Sequence, residues 1–210
     1  MYRNILIISA GSNLCNRKLK KYIKNSNYII CADGGYKYIK ENGIEPDLLV
    51  GDFDSLNDEH NLKNVITLPV KKDETDTLFA LQKAFELNPE NIIIYAGLGT
   101  RFDHSYANVC LLDLCLKKNI NAFVTDGYNR VYLIDNELNL INEKGNTVSI
   151  YSFSEFCEGV TLEGFEYPLE NFHLEKDNII GTSNIIISDK SSIKLNNGKL
   201  LIICNEKENI

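Results

Sequence analysis

The sequence predicts an α/β protein: an N-terminal, mostly parallel sheet flanked by helices, followed by a C-terminal antiparallel β-sandwich or barrel. Three observations carry that reading. Short β-branched runs alternate with helix-like segments as far as residue 125. Beyond about Asn129 the long helical period stops and short strands spaced by Gly, Asn and Asp take over. The 210 residues, 44% hydrophobic and 24% charged, are long and apolar enough to bury a substantial core.

In the first half the strand candidates are NILIISA (4–10), YIICA (28–32), DLLVGDFD (47–54), NVITL (64–68), NIIIYA (91–96) and NAFVT (121–125). They are apolar on consecutive residues, the pattern of strands covered on both faces. Between them lie the helical segments KLKKYIKN (18–25), YKYIKEN (36–42), TDTLFALQKAFEL (75–87) and SYANVCLLDLCLKK (105–118). In such a sheet, turn and active-site residues collect at the C-terminal strand ends.

The second half offers NRVYLI, LNLIN, TVSIYSF, GVTLEGF, NIIIS, SIKLN and KLLIIC as strands. Asn197-Gly198, between the last two, predicts a tight hairpin, because a type I′ turn needs positive φ at both central residues. The boundary is expected near Asp135, giving domains 1–135 and 136–210 packed closely, with the cleft between them a natural ligand site.

A net charge of −7 argues against nucleic acid as partner but allows a small anion that brings its own magnesium. The six cysteines form no CxxC pair and read as reduced, buried hydrophobes. The N-terminal ILIISA is too short for a signal-sequence core and no apolar stretch reaches membrane-spanning length, so a cytoplasmic protein without membrane association is expected.

Acidic residues follow strand ends in three places: Asp33 in CADGG, Asp52 and Asp54 in GDFDS, and Asp73 and Asp76 in KKDETD. If GDFDS is extended, Asp52 and Asp54 point to one side. Their repulsion, about 3 kcal/mol at roughly 5 Å and an effective dielectric near 20, would be removed by a cation. Short carboxylates on rigid strand ends suit magnesium. Each has a plainer reading as well. Asp73 and Asp76 fit a capping box for the helix that follows. Asp33 fits a turn with its two glycines, and GDFDS fits an Asx turn closing a strand.

A second constellation is AGLGTRFDHS (96–105), where a strand runs through a glycine-bearing loop into a helix. Amides at such a helix start bind phosphate, and Arg101 and His104 can add charge-assisted bonds. Alternatively Arg101 pairs locally with Asp103. The same stretch is a partial dinucleotide fingerprint, with Asp126 ending the next strand, but Phe102 stands where the third glycine belongs. No Walker A motif and no protein-kinase motif set is present.

In their order, ADGG, GDFDS, KDETD and RFDH, followed by Gly164-Phe165-Glu166-Tyr167-Pro168-Leu169 and Gly181-Thr182-Ser183-Asn184, resemble the thiamine pyrophosphokinase family over nearly the whole chain. The resemblance implies a kinase-type transferase that moves the terminal diphosphate of ATP onto the hydroxyl of thiamine, giving thiamine diphosphate and AMP. It also implies a homodimer with the active site at the subunit interface. Residues 1–135 would be the catalytic domain for ATP and Mg2+, and residues 136–210 the thiamine-binding domain. By motif, Asp52, Asp54 and Asp76 would handle magnesium and phosphate, with Asp33 and Asp73 in support. Lys72, Arg101 and His104 would face the phosphates. Ser183 and Asn184 match the thiamine-side motif, where the alternative is an ordinary β-turn.

Three features depart from the family pattern. Thr100 stands where a second glycine commonly precedes the arginine, which loosens the backbone approach to phosphate. Tyr36-Lys37 follow ADGG in place of small polar residues, and the absence of Trp leaves any stacking on thiamine to Tyr or Phe. The competing expectation from the GLG loop and Asp126 is a non-catalytic nucleotide or dinucleotide sensor.

Overall fold

A computed structural model describes residues 3–12, 15–52, 64–69 and 74–205. The chain divides into two compact units, Met1–Gly127 and Tyr128–Ile210.

The first unit runs β1 (Asn4–Ile8), α1 (Asn16–Asn25), β2 (Tyr28–Ala32), a 3-10 turn (Asp33–Gly35), α2 (Tyr36–Lys40), β3 (Leu48–Gly51), β4 (Val65–Thr67), α3 (Asp76–Glu86), β5 (Asn91–Tyr95), α4 (Phe102–Lys117) and β6 (Asn121–Thr125). The strands lie in the order β6-β5-β1-β2-β3-β4, and every neighbouring pair is parallel. As their unbroken apolar runs require, Ile5 to Ile8 of β1 are fully buried, as are Ile92, Ile94 and Tyr95 of β5.

The helices cover the sheet through their spacing. In NRKLKKYIKN, Leu19, Tyr22 and Ile23 join the core beside β1 and β2. The lysines of α1 fall on the other side of the wheel. α3 buries Ala80, Leu81 and Ala84, and α4 buries Val109, Leu111, Leu112 and Cys115. On its opposite face α4 exposes Phe102, Tyr106 and Leu114.

The second unit holds β7 (Asn129–Ile134), β8 (Glu137–Ile141), β9 (Thr147–Ser152), β10 (Phe156–Glu163), β11 (Leu169–Glu175), β12 (Asn184–Ile185), β13 (Lys190–Lys194) and β14 (Leu200–Asn205). Within it one sheet runs β12-β9-β14-β7 and another β11-β10-β13-β8, with antiparallel pairing throughout. Val148, Ile150 and Ile202 of the first sheet and Val160, Leu162 and Ile193 of the second belong to one core. This is a β-sandwich. At one edge Arg130 forks onto Glu143, with bonds of 2.9 and 2.6 Å, and Asn146 Nδ2 donates to the same carboxylate at 2.5 Å. Burial opposes the arginine's charge, but the hydrogen bond to Glu143, together with the charges of Tyr132, Glu143 and Cys204, outweighs it and holds the guanidinium above its ordinary value.

The structure corrects one expectation for this unit and adds a strand. Asn197-Gly198 does not close a hairpin: β13 pairs with β8 and β10, whereas β14 pairs with β7 and β9. Gly198 does take positive φ, +99°. Its turn moves the chain from one sheet to the other: Asn197 bridges to Glu158, and a Cβ on Gly198 would lie 2.6 Å from the Phe156 carbonyl. LENFHLE, not among the strand candidates, forms β11, although only Leu174 of that strand is fully buried and alternation is therefore faint. The units meet in sequence at Gly127 and Tyr128, where the expected boundary was near Asp135, so that β7 falls in the second unit.

None of the cysteines is in a disulfide, and Cys31, Cys115, Cys157 and Cys204 are buried. Burial pushes the Cys31 thiol well above its ordinary value and that of Cys115 up to about 12. Among the described residues no helix is long and apolar enough to cross a membrane.

Candidate active site

In the first unit the strand order reverses at β1: the chain proceeds outward through β2, β3 and β4 on one side and through β5 and β6 on the other. Ligand crevices in open α/β sheets lie at such a reversal, outside the C-terminal strand ends, and here the loops leaving β1 and β5 line one. It is a cleft of about 440 Å³. Residues 9–12 after β1 and 96–101 after β5 line it, joined by Asp33, by residues 74–77 at the start of α3, and by His104, Ser105 and Asn108 of α4.

The two loops are laced together. Ser9 N donates to Tyr95 O at 2.9 Å and Gly11 N to Ala96 O at 2.8 Å. Position 11 tolerates no side chain, because a Cβ would lie 2.4 Å from the carbonyls of both Ala96 and Leu98. Helix α4 then fixes the loop that precedes it. Buried Asn108 donates from Nδ2 to Gly97 O at 2.8 Å, and the Ser105 hydroxyl accepts from Gly99 N at 3.0 Å and lies 3.1 Å from the Arg101 carbonyl. The Gly97 carbonyl and the Gly99 N–H are thus held by side chains one and two turns into the helix.

The sequence-predicted residues sort as follows. Asp33 follows β2 in a left-handed conformation, φ +43°, and faces the cleft. Asp52 directly follows β3 and is half-buried. Its neighbour Gly51 packs on Asp33 so closely that a Cβ would sit 3.0 Å from the Asp33 Cα. Asp76 is the first residue of α3 and lines the cleft. The helix cap is Thr75, whose hydroxyl accepts from Leu78 N at 3.2 Å. The expected capping box with Asp73 and Asp76 is therefore out of register: Thr75 is the extended residue before the first turn, and Asp76 already belongs to the helix, where its charge suits the N-terminal dipole. Asp54, Lys72 and Asp73 lie outside the described residues.

Arg101 and His104 both line the cleft. Arg101 is also paired with Asp103, Nη2 to Oδ2 at 2.6 Å and Nε to Oδ1 at 3.3 Å, so the local pairing is present. Their mutual hydrogen bond raises the arginine and lowers the carboxylate relative to their ordinary values. Asp126, the residue invoked for a ribose contact, follows β6 and accepts from Cys15 N through its backbone carbonyl at 3.3 Å.

Ser183 and Asn184 belong to the second unit. Ser183 is exposed with φ +60° and donates its backbone N–H to Ser149 Oγ. Asn184 is buried. Its Oδ1 accepts from Tyr167 N at 3.0 Å and Ile185 N at 2.9 Å, while Nδ2 donates to Tyr167 O at 2.7 Å. Asn184 thereby clamps the backbone of Tyr167, whose side chain is 66% exposed.

The chemistry of the cleft is that of hard oxygen donors: the carboxylates of Asp33, Glu74 and Asp76 amid hydroxyls of Ser and Thr; Asp52, one residue beyond the Gly51 that packs on Asp33, is not among its lining residues. Among the described residues no three His, Cys, Asp or Glu side chains form a metal cage. One or two carboxylates plus substrate phosphates is the ordinary requirement of magnesium, and the residues present fit that ion. Sequence reasoning missed Ser9, Ser12, Thr77 and Asn108. The Ser-Ala-Gly-Ser that follows β1 was a usable signal for the first two.

Comparison with known proteins identifies the family. The family model described as "Thiamin pyrophosphokinase, catalytic domain" matches residues 19–124, and "Thiamin pyrophosphokinase, vitamin B1 binding domain" matches residues 134–200. The chain is 29% identical over 209 residues to the thiamine pyrophosphokinase of Bacillus subtilis (strain 168), covering 96% of this chain and 98% of that one. It is 28% identical over 202 residues to thiamin pyrophosphokinase 1 of Caenorhabditis elegans, covering 88% and 81%. The crystal structure of a Bacillus subtilis thiamine pyrophosphokinase superposes with a TM-score of 0.88 at 28% identity, over 98% of this chain and 100% of that one.

Proposed function

The chain belongs to the thiamin pyrophosphokinase family, and from that premise we propose that it transfers diphosphate from ATP to the hydroxyl of thiamine, giving thiamine diphosphate and AMP. The observation that carries the chemistry is the cleft at the β1/β5 reversal, where acidic strand and helix ends face a loop whose Gly97 and Gly99 backbone is fixed by α4. Membership of this family displaces the sensor reading built on the GLG loop and Asp126.

In-line attack of an alcohol on the β-phosphorus requires alignment of the reactants and stabilisation of charge on the diphosphoryl group and the departing AMP oxygen. Asp52, Asp54 and Asp76 would hold magnesium, with Asp33 and Asp73 in support; the ion, when bound, neutralises phosphate charge. Lys72, Arg101 and His104 would face the phosphates, Arg101 by exchanging Asp103 for a phosphate oxygen. Asp76, or Asp73, orients the thiamine hydroxyl; an alcohol is a poor acid, so the carboxylate acts late and chiefly by hydrogen bonding. In the β unit Ser183 and Asn184 belong to the thiamine side, and Tyr167, held out by Asn184, offers an aromatic face to the thiamine cation. A homodimer with the active site at the subunit interface is part of the same proposal, as is a cytoplasmic location.

The test is incubation with ATP, magnesium and thiamine while AMP and thiamine diphosphate are followed together. Equal, magnesium-dependent release supports the reading; ADP in place of AMP, or no product, refutes it. Asp54→Asn and Asp76→Asn keep shape and remove charge, and each is expected to lower turnover by at least about a hundredfold.

A further inference from the structure

The start of α3 must be placed accurately, because it carries Asp76 into the cleft. The helix packs on the sheet through Ala80, Leu81 and Ala84. Apolar contacts of this kind are non-directional: they fix how deep a helix lies far better than where it stands along its own axis. The Thr75 cap is internal to α3, since it bonds Leu78 of the same helix, and it sets no register against the sheet.

A directional tie exists one residue beyond Asp76. The Thr77 hydroxyl lies 2.8 Å from the Ser9 hydroxyl, and both residues are buried, 9% and 3% exposed. Ser9 directly follows β1, and its own N–H is fixed to Tyr95 O of β5. A threonine within a helix ordinarily bonds back to a carbonyl of the preceding turn. At the second position of α3 there is no preceding helical turn, and the hydroxyl turns instead to the strand end.

We infer that Ser9 and Thr77 are positioning residues for Asp76: their shared hydrogen bond sets the first turn of α3 against the reversal of the sheet, and with it the carboxylate against the loops after β1 and β5. This rests on the role of Asp76 proposed above. A displacement of about 1 Å at such a site can lower turnover by about a hundredfold.

The experiment compares Thr77→Val, which keeps the branched shape and removes the hydroxyl, with Ser9→Ala, the double variant and Thr77→Ser. Three quantities are measured: kcat with thiamine, the magnesium concentration giving half-maximal rate, and MgATP affinity by calorimetry without thiamine. Thr77→Val and Ser9→Ala should each lower kcat at least tenfold, raise the magnesium requirement and weaken MgATP binding. The double variant should be no worse than the poorer single, because both remove one bond, and Thr77→Ser should return kcat to within about twofold. Wild-type kcat in Thr77→Val, losses that multiply in the double variant, or failure of Thr77→Ser to restore activity would overturn the inference. A wild-type chain that binds MgATP but leaves thiamine unchanged would refute the proposed transfer, while the calorimetric series would still decide the positioning role. A chain that binds no MgATP would overturn both.

Discussion

Removing the Asn184 side chain should destabilise the β unit and weaken thiamine binding together. The amide makes three bonds, to Tyr167 N at 3.0 Å, Tyr167 O at 2.7 Å and Ile185 N at 2.9 Å. A neutral intramolecular hydrogen bond contributes about 1 kcal/mol net, and an abandoned buried partner adds to the loss. The Ile185 bond is between chain neighbours and contributes less, so Asn184→Ala should cost about 2–3 kcal/mol. Asn184→Asp sharpens the test. Both accepted bonds survive, but a carboxylate oxygen now faces the Tyr167 carbonyl where an N–H donated. At neutral pH this variant should therefore also be destabilised, and it should recover toward wild type on acidification, as the introduced carboxyl regains a proton to donate. Urea unfolding followed by circular dichroism measures the loss, and the thiamine KM should rise in both variants as Tyr167 is released. An Asn184→Ala protein within about 0.5 kcal/mol of wild type, at unchanged m-value, would refute the clamp.

Three further predictions address other parts of the molecule. Gly11→Ala forces a Cβ against the carbonyls of Ala96 and Leu98, which should cost about 1–3 kcal/mol and reduce MgATP affinity by displacing the loops, as calorimetry would reveal. Arg130→Ala leaves the partly buried Glu143 carboxylate with the Asn146 amide but without its cation and should cost about 2–3 kcal/mol in denaturant unfolding; Arg130→Lys should recover only part, since an ammonium cannot form the fork. Burial raises the Cys115 thiol from 9.0 to about 12, so its contribution is fully present below pH 9 and is lost as pH rises from 9 to 12. Unfolding under reducing conditions should show an alkaline decline of about 1.4 kcal/mol per pH unit for each such thiol, shallower in Cys115→Ala.

The parallel half was legible because its strands are apolar on consecutive residues and α1 and α3 are amphipathic, so local pattern and tertiary position agree; α4, with Phe102, Tyr106 and Leu114 on its outer face, was legible by its length and flanking loop instead. The acidic strand ends were legible for the same reason: once the sheet is parallel, whatever follows a strand belongs to one edge. Asn197-Gly198 misled because turn chemistry specifies backbone φ, not which strands flank the turn; Gly198 has the expected conformation in a connection between sheets. Strand β11 escaped because a face of Glu, Asn and His shows little alternation when only Leu174 is fully buried. Ser9 and Thr77 stand 68 positions apart, and nothing local to either announces a bond that exists only after β1 and α3 have packed.

The left-handed backbone at Asp33 bears on how its role can be dissected. Aspartate, asparagine and glycine enter that conformation readily, whereas alanine there costs about 1 kcal/mol or more. Asp33→Ala would therefore change two things at once, the charge facing the cleft and the direction in which the chain leaves β2. Asp33→Asn changes the charge alone, and Asp33→Gly removes the side chain while sparing the backbone. The two together separate electrostatic from conformational selection at a single residue, a separation that most acidic positions in a cleft do not permit.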